Sequence, residues 1–365
     1  MDELRACALL ARTPGLVAAD VRAATAQAGE LARVVARDRD PRLLPPRAQA
    51  FLEAPPDSSI DRDLEWTEAS GATLVACTSA RYPPRLAADP AAPAVLYVLG
   101  DPDALSAPQI ALVGARAATA TRLDIAREFA GEFARSGLTV TSGLAIGIDA
   151  ASHEGALAGA GRTIGVCAHG LDRVYPEENR VLAARVRERG ALVSQYAPGT
   201  PPRRERFVRR NRVMSGLALA TLVVEAAARS GSLATARHAR SLGRPVFAVP
   251  GSIRNPLAAG CHELIRCGAR LARGPADVLK PLGFILLNQG LPLDRGPAGA
   301  PAGGPPRLDK VSEMLLDAVG FEPVSINTLV ERTGLPSGSI ASMLLTLELR
   351  GRVAPHPGGR YVRLS

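Results

Sequence analysis

The sequence predicts an α/β fold: an open parallel sheet covered by helices, with a small helical domain before it and a compact helix-and-ribbon domain after it. Three observations lead there. Between about residues 66 and 282, short apolar runs alternate with helical segments in repeated strand–helix–strand order. Several runs are apolar at consecutive positions, as strands covered on both faces must be. Small residues and glycine mark several strand ends, where the chain turns tightly into a helix. A chain of 365 residues also exceeds one ordinary core, so two or three domains are expected.

Residues 1–60 read as a helical domain. Leu4, Leu9, Leu10, Leu16, Val17, Val21, Leu31, Val34 and Val35 fall at helical spacing, interrupted by Thr13-Pro14-Gly15. A Pro-Gly turn between short helices is compatible with a helix-hairpin-helix (SAM-like) element, whose turn amides can hold a phosphate; a plain small helical cap is the other reading and fits better. A proline-rich stretch (Pro41, Pro45, Pro46, Pro55, Pro56) leads to the sheet domain, 66–282. Its candidate strands are 73–77, 95–99, 110–113, 139–141, 163–167, 191–194, 221–224, 246–249 and 270–272. Candidate helices are 121–136, 148–160, 177–189, 208–219, 232–243 and 260–267. Right-handed crossovers follow, and ligands of such sheets bind beyond the carboxyl ends of the strands. Residues 284–308, rich in Gly and Pro, read as a linker. Residues 309–365 show helical patterns at 310–319, 324–332 and 337–349. Two short extended pieces follow, around Arg352-Val353 and Tyr361-Val362-Arg363, joined by Pro357-Gly358-Gly359. Three helices and a two-stranded ribbon make a winged-helix layout.

The chain carries 44 Lys and Arg against 35 Asp and Glu, a formal charge of +9, and its two lysines are Lys280 and Lys310. Arginine forks match phosphate oxygens and stay charged at any working pH, which favours a polyanionic partner. Aromatic residues at 4% argue against a surface built mainly on base stacking. Five cysteines without a Cys-x-x-Cys, and a Cys261-His262…Cys267 group lacking a second pair, support neither a disulfide framework nor a zinc ribbon. They read as thiols packed on or near a helix, with no metal. The Met1-Asp2-Glu3 start is unlike a signal peptide, and no run of about 18 apolar residues occurs. A cytoplasmic protein without a membrane partner is expected.

Three turns after candidate strands carry the chemistry. They are Gly114-Ala115-Arg116, the segment from Ser142 and Gly143 through Gly147 to Asp149, and Glu225 followed by Ser230-Gly231-Ser232. Glycines there let backbone amides approach an anion, and a helix start adds favourable partial charge. Such turns are also common in plain βα connections, but three converging on one sheet edge suit a phosphate. The strongest local signal is 201–212, with six arginines, one acid and a net charge of +5. Phe207 sits among the cations, and Asn211 supplies donor and acceptor, an arrangement suited to sugar-phosphate contact with a base packed on the ring. A plain basic surface is the other reading. Catalytic signatures are poor: there is no Gly-x-x-x-x-Gly-Lys-Ser/Thr and no Gly-x-Ser-x-Gly. His153, four residues after Asp149, is expected to bond it within a helix rather than do acid–base work. Glu225 is the best lone candidate for a general base, with neither nucleophile nor metal beside it.

Taken together, Leu112-Val-Gly-Ala-Arg116, Ser142-Gly-Leu-Ala-Ile-Gly-Ile-Asp149…His153, Tyr175-Pro176, Phe207-x-x-Arg-Asn-Arg212, Val224-Glu-Ala226 with Ser230-Gly-Ser-Leu-x-Thr-Ala236, and Val249-Pro-Gly251 with Gly260…Leu264-Ile265 and Gly268-Ala269 resemble the DNA-processing protein A family, DprA or Smf, over roughly 80–280. The resemblance implies an extended Rossmann-like domain that binds and protects single-stranded DNA. It implies help in loading the RecA recombinase during natural transformation, a homodimer, no cofactor and no enzymatic activity. It places the DNA pocket at Gly114, Arg116, Ser142, Gly143, Arg204, Phe207, Arg210 and Asn211; Arg212 and Ser230, Gly231 and Ser232 join them from the arginine run and the third turn. The chain departs from the family pattern at Ala115, Val208 and Gln195, where a hydroxyl, a proline and a glutamate are usual, and Arg204 stands where lysine is frequent.

The winged helix invites duplex recognition, yet its presumptive recognition helix, 337–349, holds no Lys or Arg. Base readout and phosphate anchoring need donors, so an accessory or protein-binding role fits better. Arg350, Arg352 and Arg360 flank the wing. The rival from another class is a nucleotide-processing enzyme on a related fold, such as a nucleoside-monophosphate hydrolase. Its expected Pro-Gly-Gly-x-Gly-Thr-x-x-Glu loop is reduced here to Pro250-Gly251.

Overall fold

A computed structural model describes residues 2–36, 38–40, 42–288 and 310–364. The chain divides into two compact units, Met1–Gly296 and Pro297–Ser365.

The first unit opens with helices α1 (Glu3–Arg12), α2 (Ala18–Ala28), α3 (Leu31–Val34), α4 (Pro46–Glu53) and α5 (Asp57–Ser70). Asp2 starts α1 by accepting from the Leu4 amide at 3.0 Å. Leu9, Leu10, Val21, Leu52 and Ile60 bury their side chains in the same apolar cluster as Val95 and Leu96 of the sheet. The Ala18 amide bonds Ala92 O at 2.8 Å, and Arg12 Nε pairs with the buried Asp63 at 2.5 Å. These helices therefore share a core with the α/β body.

That body contains β1 (Thr73–Ala76), α6 (Pro84–Ala87), β2 (Val95–Gly100), β3 (Gln109–Val113), α7 (Ala120–Arg135), β4 (Thr139–Ser142), α8 (Ile148–Ala158), β5 (Thr163–Cys167), α9 (Arg180–Arg189) and β6 (Ala191–Ser194). It continues through α10 (Arg204–Leu217), β7 (Ala220–Val223), α11 (Ser232–Ser241), β8 (Val246–Ala248), α12 (Ala259–Arg266), β9 (Arg270–Leu271) and α13 (Pro275–Asn288). The nine strands lie in the order β1-β2-β6-β5-β4-β3-β7-β8-β9. Seven are parallel, from β6 to β9; β2 runs antiparallel to both β6 and β1. The sheet is thus an extended Rossmann-like one with a two-stranded antiparallel edge, where sequence patterning had suggested parallel strands throughout. Only the four-residue α6 separates β1 from β2, and antiparallel neighbours need no crossover helix.

Phe129 and Phe133 of α7, Ile148 of α8, and Val278 and Leu282 of α13 pack one face of the central strands. The strand order reverses between β3 and β7, because the chain builds outward from β3 to β6 and then returns beside β3. Such a switch point opens a crevice at the carboxyl ends. Helix α13 runs on to Asn288, past the expected start of the linker at 284; the rest of that segment, 289–308, lies outside the described residues.

The second unit holds α14 (Lys310–Val319), β10 (Val324–Ser325), α15 (Ile326–Thr333), α16 (Ser337–Leu349), β11 (Val353–His356) and β12 (Arg360–Arg363). Its strands are antiparallel in the order β10-β12-β11, and Leu315, Leu329, Ile340, Leu344 and Leu347 form the core. This is the winged-helix arrangement.

Candidate nucleic-acid interface

The β3–β7 crevice holds a pocket of about 280 Å³. Gly114 and Arg116 line it from the turn after β3, Ala145 and Asp149 from the turn after β4, and Ser230, Gly231 and Ser232 from the turn after β7. Helix α10 closes it with Phe207, Arg210 and Asn211. Hydrogen bonds stitch the turns together. The Ala115 amide bonds Glu225 O at 2.8 Å, the Ile148 amide bonds Ala115 O at 3.2 Å, and the Ser232 hydroxyl donates to Gly114 O at 2.8 Å. Gly147, at φ +82°, could not carry a side chain there: a Cβ would fall 2.4 Å from Ala115 O.

Arg210 is the pocket's central cation and is only 4% exposed. Its Nη1 donates to Val166 O at 2.9 Å, while its Nε, buried, has no protein acceptor. Burial lowers its pKa, and the charge of Asp149 opposes that shift. Burial likewise raises the Asp149 carboxyl, with Arg210 pulling it back. The buried hydroxyl of Thr235, also on the pocket wall, lacks a partner as well. Both residues line the pocket, and each keeps one buried polar atom without a protein partner.

Aromatic and cationic groups stack across the mouth. The Arg116 guanidinium lies 5.0 Å from the Phe207 ring centre and that of Arg210 lies 5.6 Å away. Tyr175 meets the Phe207 ring edge-on at 6.1 Å, with 42% of its own surface exposed. Among the described residues, no arginine from Arg203 to Arg212 has an ion-pair partner within 4.0 Å. The Arg116 and Arg210 guanidinium groups beside a ring and amide-rich turns can hold a sugar-phosphate and pack a base.

The sequence-derived candidates divide. Gly114, Arg116, Phe207, Arg210, Asn211, Ser230, Gly231 and Ser232 converge on the pocket. Ser142 and Gly143 stand behind it. The Ser142 hydroxyl is buried and donates to Leu112 O at 2.7 Å, and Gly143 leaves room for Arg210 and Asp149. Arg204 is exposed on the first turn of α10 and is not on the pocket wall; Arg212 lines a different cleft. Two polar wall residues escaped the site reading, Asp149, read only as a helix partner of His153, and Thr235; so did Tyr175, which meets the Phe207 ring edge-on.

Two side-chain expectations change. His153 does not bond Asp149; its Nδ1 meets Thr163 Oγ1 at 2.7 Å, and burial lowers its pKa to about 3. Glu225 is 1% exposed, and its carboxylate accepts from the Thr119 amide at 2.9 Å, the Thr119 hydroxyl at 3.2 Å and Asn255 Nδ2 at 3.1 Å. It is a clamp between loops, with no free edge for a substrate proton. Cys261 is buried in α12 and Cys267 is exposed just beyond it. Burial pushes the Cys7 and Cys167 thiols up to about 12, and no metal-binding group of three or more His, Cys, Asp or Glu occurs among the described residues. No helix among them is long and apolar enough to cross a membrane.

Residues 73–283 match the family model described as DNA recombination-mediator protein A, and residues 299–359 match that of the DprA winged helix domain. The chain is 42% identical over 324 residues to Protein Smf of Escherichia coli, a span covering 87% of this chain and 84% of that protein. The structure of DNA processing protein A from Streptococcus pneumoniae aligns with a TM-score of 0.63 and 31% identity, over 74% of this chain and 95% of that one. The Helicobacter pylori DNA processing protein A, described for its single-stranded DNA binding mode, aligns with a TM-score of 0.53 and 26% identity, over 58% and 95% of the two chains.

Proposed function

Since the chain belongs to the DNA recombination-mediator protein A family, we propose that it binds single-stranded DNA in the β3–β7 pocket as a recombination mediator. One observation carries this reading: an exposed arginine, an aromatic ring and an incompletely satisfied buried arginine meet at a sheet switch point beside uncompensated cations. In the proposed complex, Arg116 holds a phosphate at the mouth and Phe207, flanked by Tyr175, packs a base. Gly114, Asn211 and the Ser230–Ser232 turn offer donors around Arg210. Ala115 in place of a hydroxyl-bearing residue gives one donor fewer at the first turn.

Beyond binding, we infer that the protein shields the strand and helps load RecA during natural transformation, acting as a cytoplasmic homodimer; the support is the family resemblance. We also read it as lacking bond-breaking chemistry of its own. The hydrolase alternative loses its best base, because Glu225 spends its oxygens on Thr119 and Asn255. The test is equilibrium binding of the Arg116→Ala/Phe207→Ala variant to single strands of several sequences. It should weaken all of them alike, since backbone contact and ring stacking are sequence-tolerant. Unchanged affinity would refute the site, and release of free base from nucleoside monophosphates by the pure protein would refute the non-enzymatic reading.

A further inference from the structure

Helix α10 serves two cavities. Phe207, Arg210, Asn211 and Met214 line the strand-end pocket, whereas Glu205, Val208, Arg209, Arg212 and Val213 line a larger cleft of about 800 Å³. At about 3.6 residues per turn, these two sets fall on opposite sides of the helix. Across the cleft stand the Thr13-Pro14-Gly15 turn, the 89–95 segment, and Gln195 with Tyr196. Buried Leu10, Leu86, Val95 and Val213 give it an apolar floor. Arg209 and Arg212 are exposed at its rim without an ion-pair partner. Asp89 is engaged by His238 at 3.1 Å, which leaves Glu205 as the cleft's unpaired acid.

Resting on the reading of the strand-end pocket as a single-strand site, we propose that this cleft is a second subsite for the same strand. It takes nucleotides beyond those held at Arg116 and Phe207. An apolar floor beneath guanidinium groups suits a base below and phosphates above. The strand would have to cross only one helix, about 10–12 Å wide with its side chains. Arg204, exposed on the first turn of α10 and without an ion pair, falls on the helix edge between the two sets. An acidic peptide with an apolar side chain would also meet the chemistry of the cleft alone. Continuity of unpaired arginines between the two cavities favours the strand.

The test uses full-length protein and labelled oligothymidylates of about 4 and about 16 nucleotides, the span of site sizes known for single-strand-binding OB folds. Binding is compared across salt for the parent and for Arg209→Gln/Arg212→Gln, whose exposed positions leave the core untouched. The parent should gain affinity with length. The variant should bind the short oligomer within about threefold of the parent and lose about tenfold or more on the long one. Its log–log salt slope there should shrink by about 1.4, two contacts at about 0.7 each. Parallel loss on both lengths, no loss on the long one, or no gain with length in the parent would each overturn the second subsite. Failure of the parent to bind either oligomer would instead remove the reading beneath it.

Discussion

Arg210 shows how much of the site depends on what is missing from its neighbours. A Cβ at Gly143 would fall 1.6 Å from Arg210 Nη1 and 2.5 Å from Asp149 Oδ2, so those side-chain ends would have to move. Gly143→Ala therefore forces the guanidinium off Val166. The expected cost is about 1–3 kcal/mol, as for other overpacked sites, read as a lower urea midpoint, with weaker single-strand binding. Phe207→Ala should leave stability nearly unchanged and weaken binding by about 1–3 kcal/mol, while Phe207→Tyr should retain most of it; fluorescence anisotropy decides. His153 sets a pH dependence. Its folded pKa, near 3, lies below the ordinary 6.5, so between those values the unfolded chain binds the extra proton. Its contribution is intact above about pH 6.5 and is lost as pH falls, by up to about 1.4 kcal/mol per unit. Urea melts from pH 7 to 5 should show a steeper decline for the parent than for His153→Asn. An equal or shallower decline would contradict the assignment.

At the scale of elements, loops after β3, β7 and β8 are held to one another by Glu225. Glu225→Ala strands the half-buried Thr119 amide and Asn255 Nδ2, so it should destabilise by about 1 kcal/mol or more. A normal melting midpoint in that variant would refute the clamp. Most strands of the sheet were legible because covered strands are mainly apolar, as in Gln109–Val113 and Thr163–Cys167, which are buried throughout; β9 is exposed and was marked only by the short run at 270–272. Strand direction was not. β2 pairs with β6 far along the chain, Tyr97 opposite Ser194, and nothing in either run marks its partner. Helix α10 begins at Arg204 rather than the expected 208, because a row of arginines carries no apolar periodicity to read. The same row looked like one patch. Helical geometry instead sends Arg210 inward and Arg209 and Arg212 to another cleft, a division visible only once the helix and its neighbours are placed. Glu225 misled for a related reason: a carboxylate at a strand end resembles a base until its donors, Thr119 and Asn255, are seen to come from distant loops.

Among the described residues, the pocket and cleft to which the proposed strand binding is assigned lie in the Met1–Gly296 unit. Helix α16 of the second unit exposes Leu345 and Leu349 and carries no Lys or Arg, so it offers a duplex few donors. Removing residues 297–365 should therefore leave single-strand affinity within about threefold, the loss of a rim contact at most. The N-terminal helices are a different matter. Leu9, Leu10 and Ile60 belong to the same apolar cluster as β2, so a fragment starting near residue 66 would expose that core and melt early. The pocket at the sheet switch point is the central claim, and one measurement addresses it most directly: salt-titrated binding of the full-length chain and its Arg116→Ala/Phe207→Ala variant to single-stranded and duplex DNA. The account predicts that the parent prefers single strands. It predicts that the variant loses that preference and that its single-strand salt slope shrinks by about 0.7, one phosphate contact. Equal affinity of parent and variant for single strands, or a parent that prefers duplex, would contradict it.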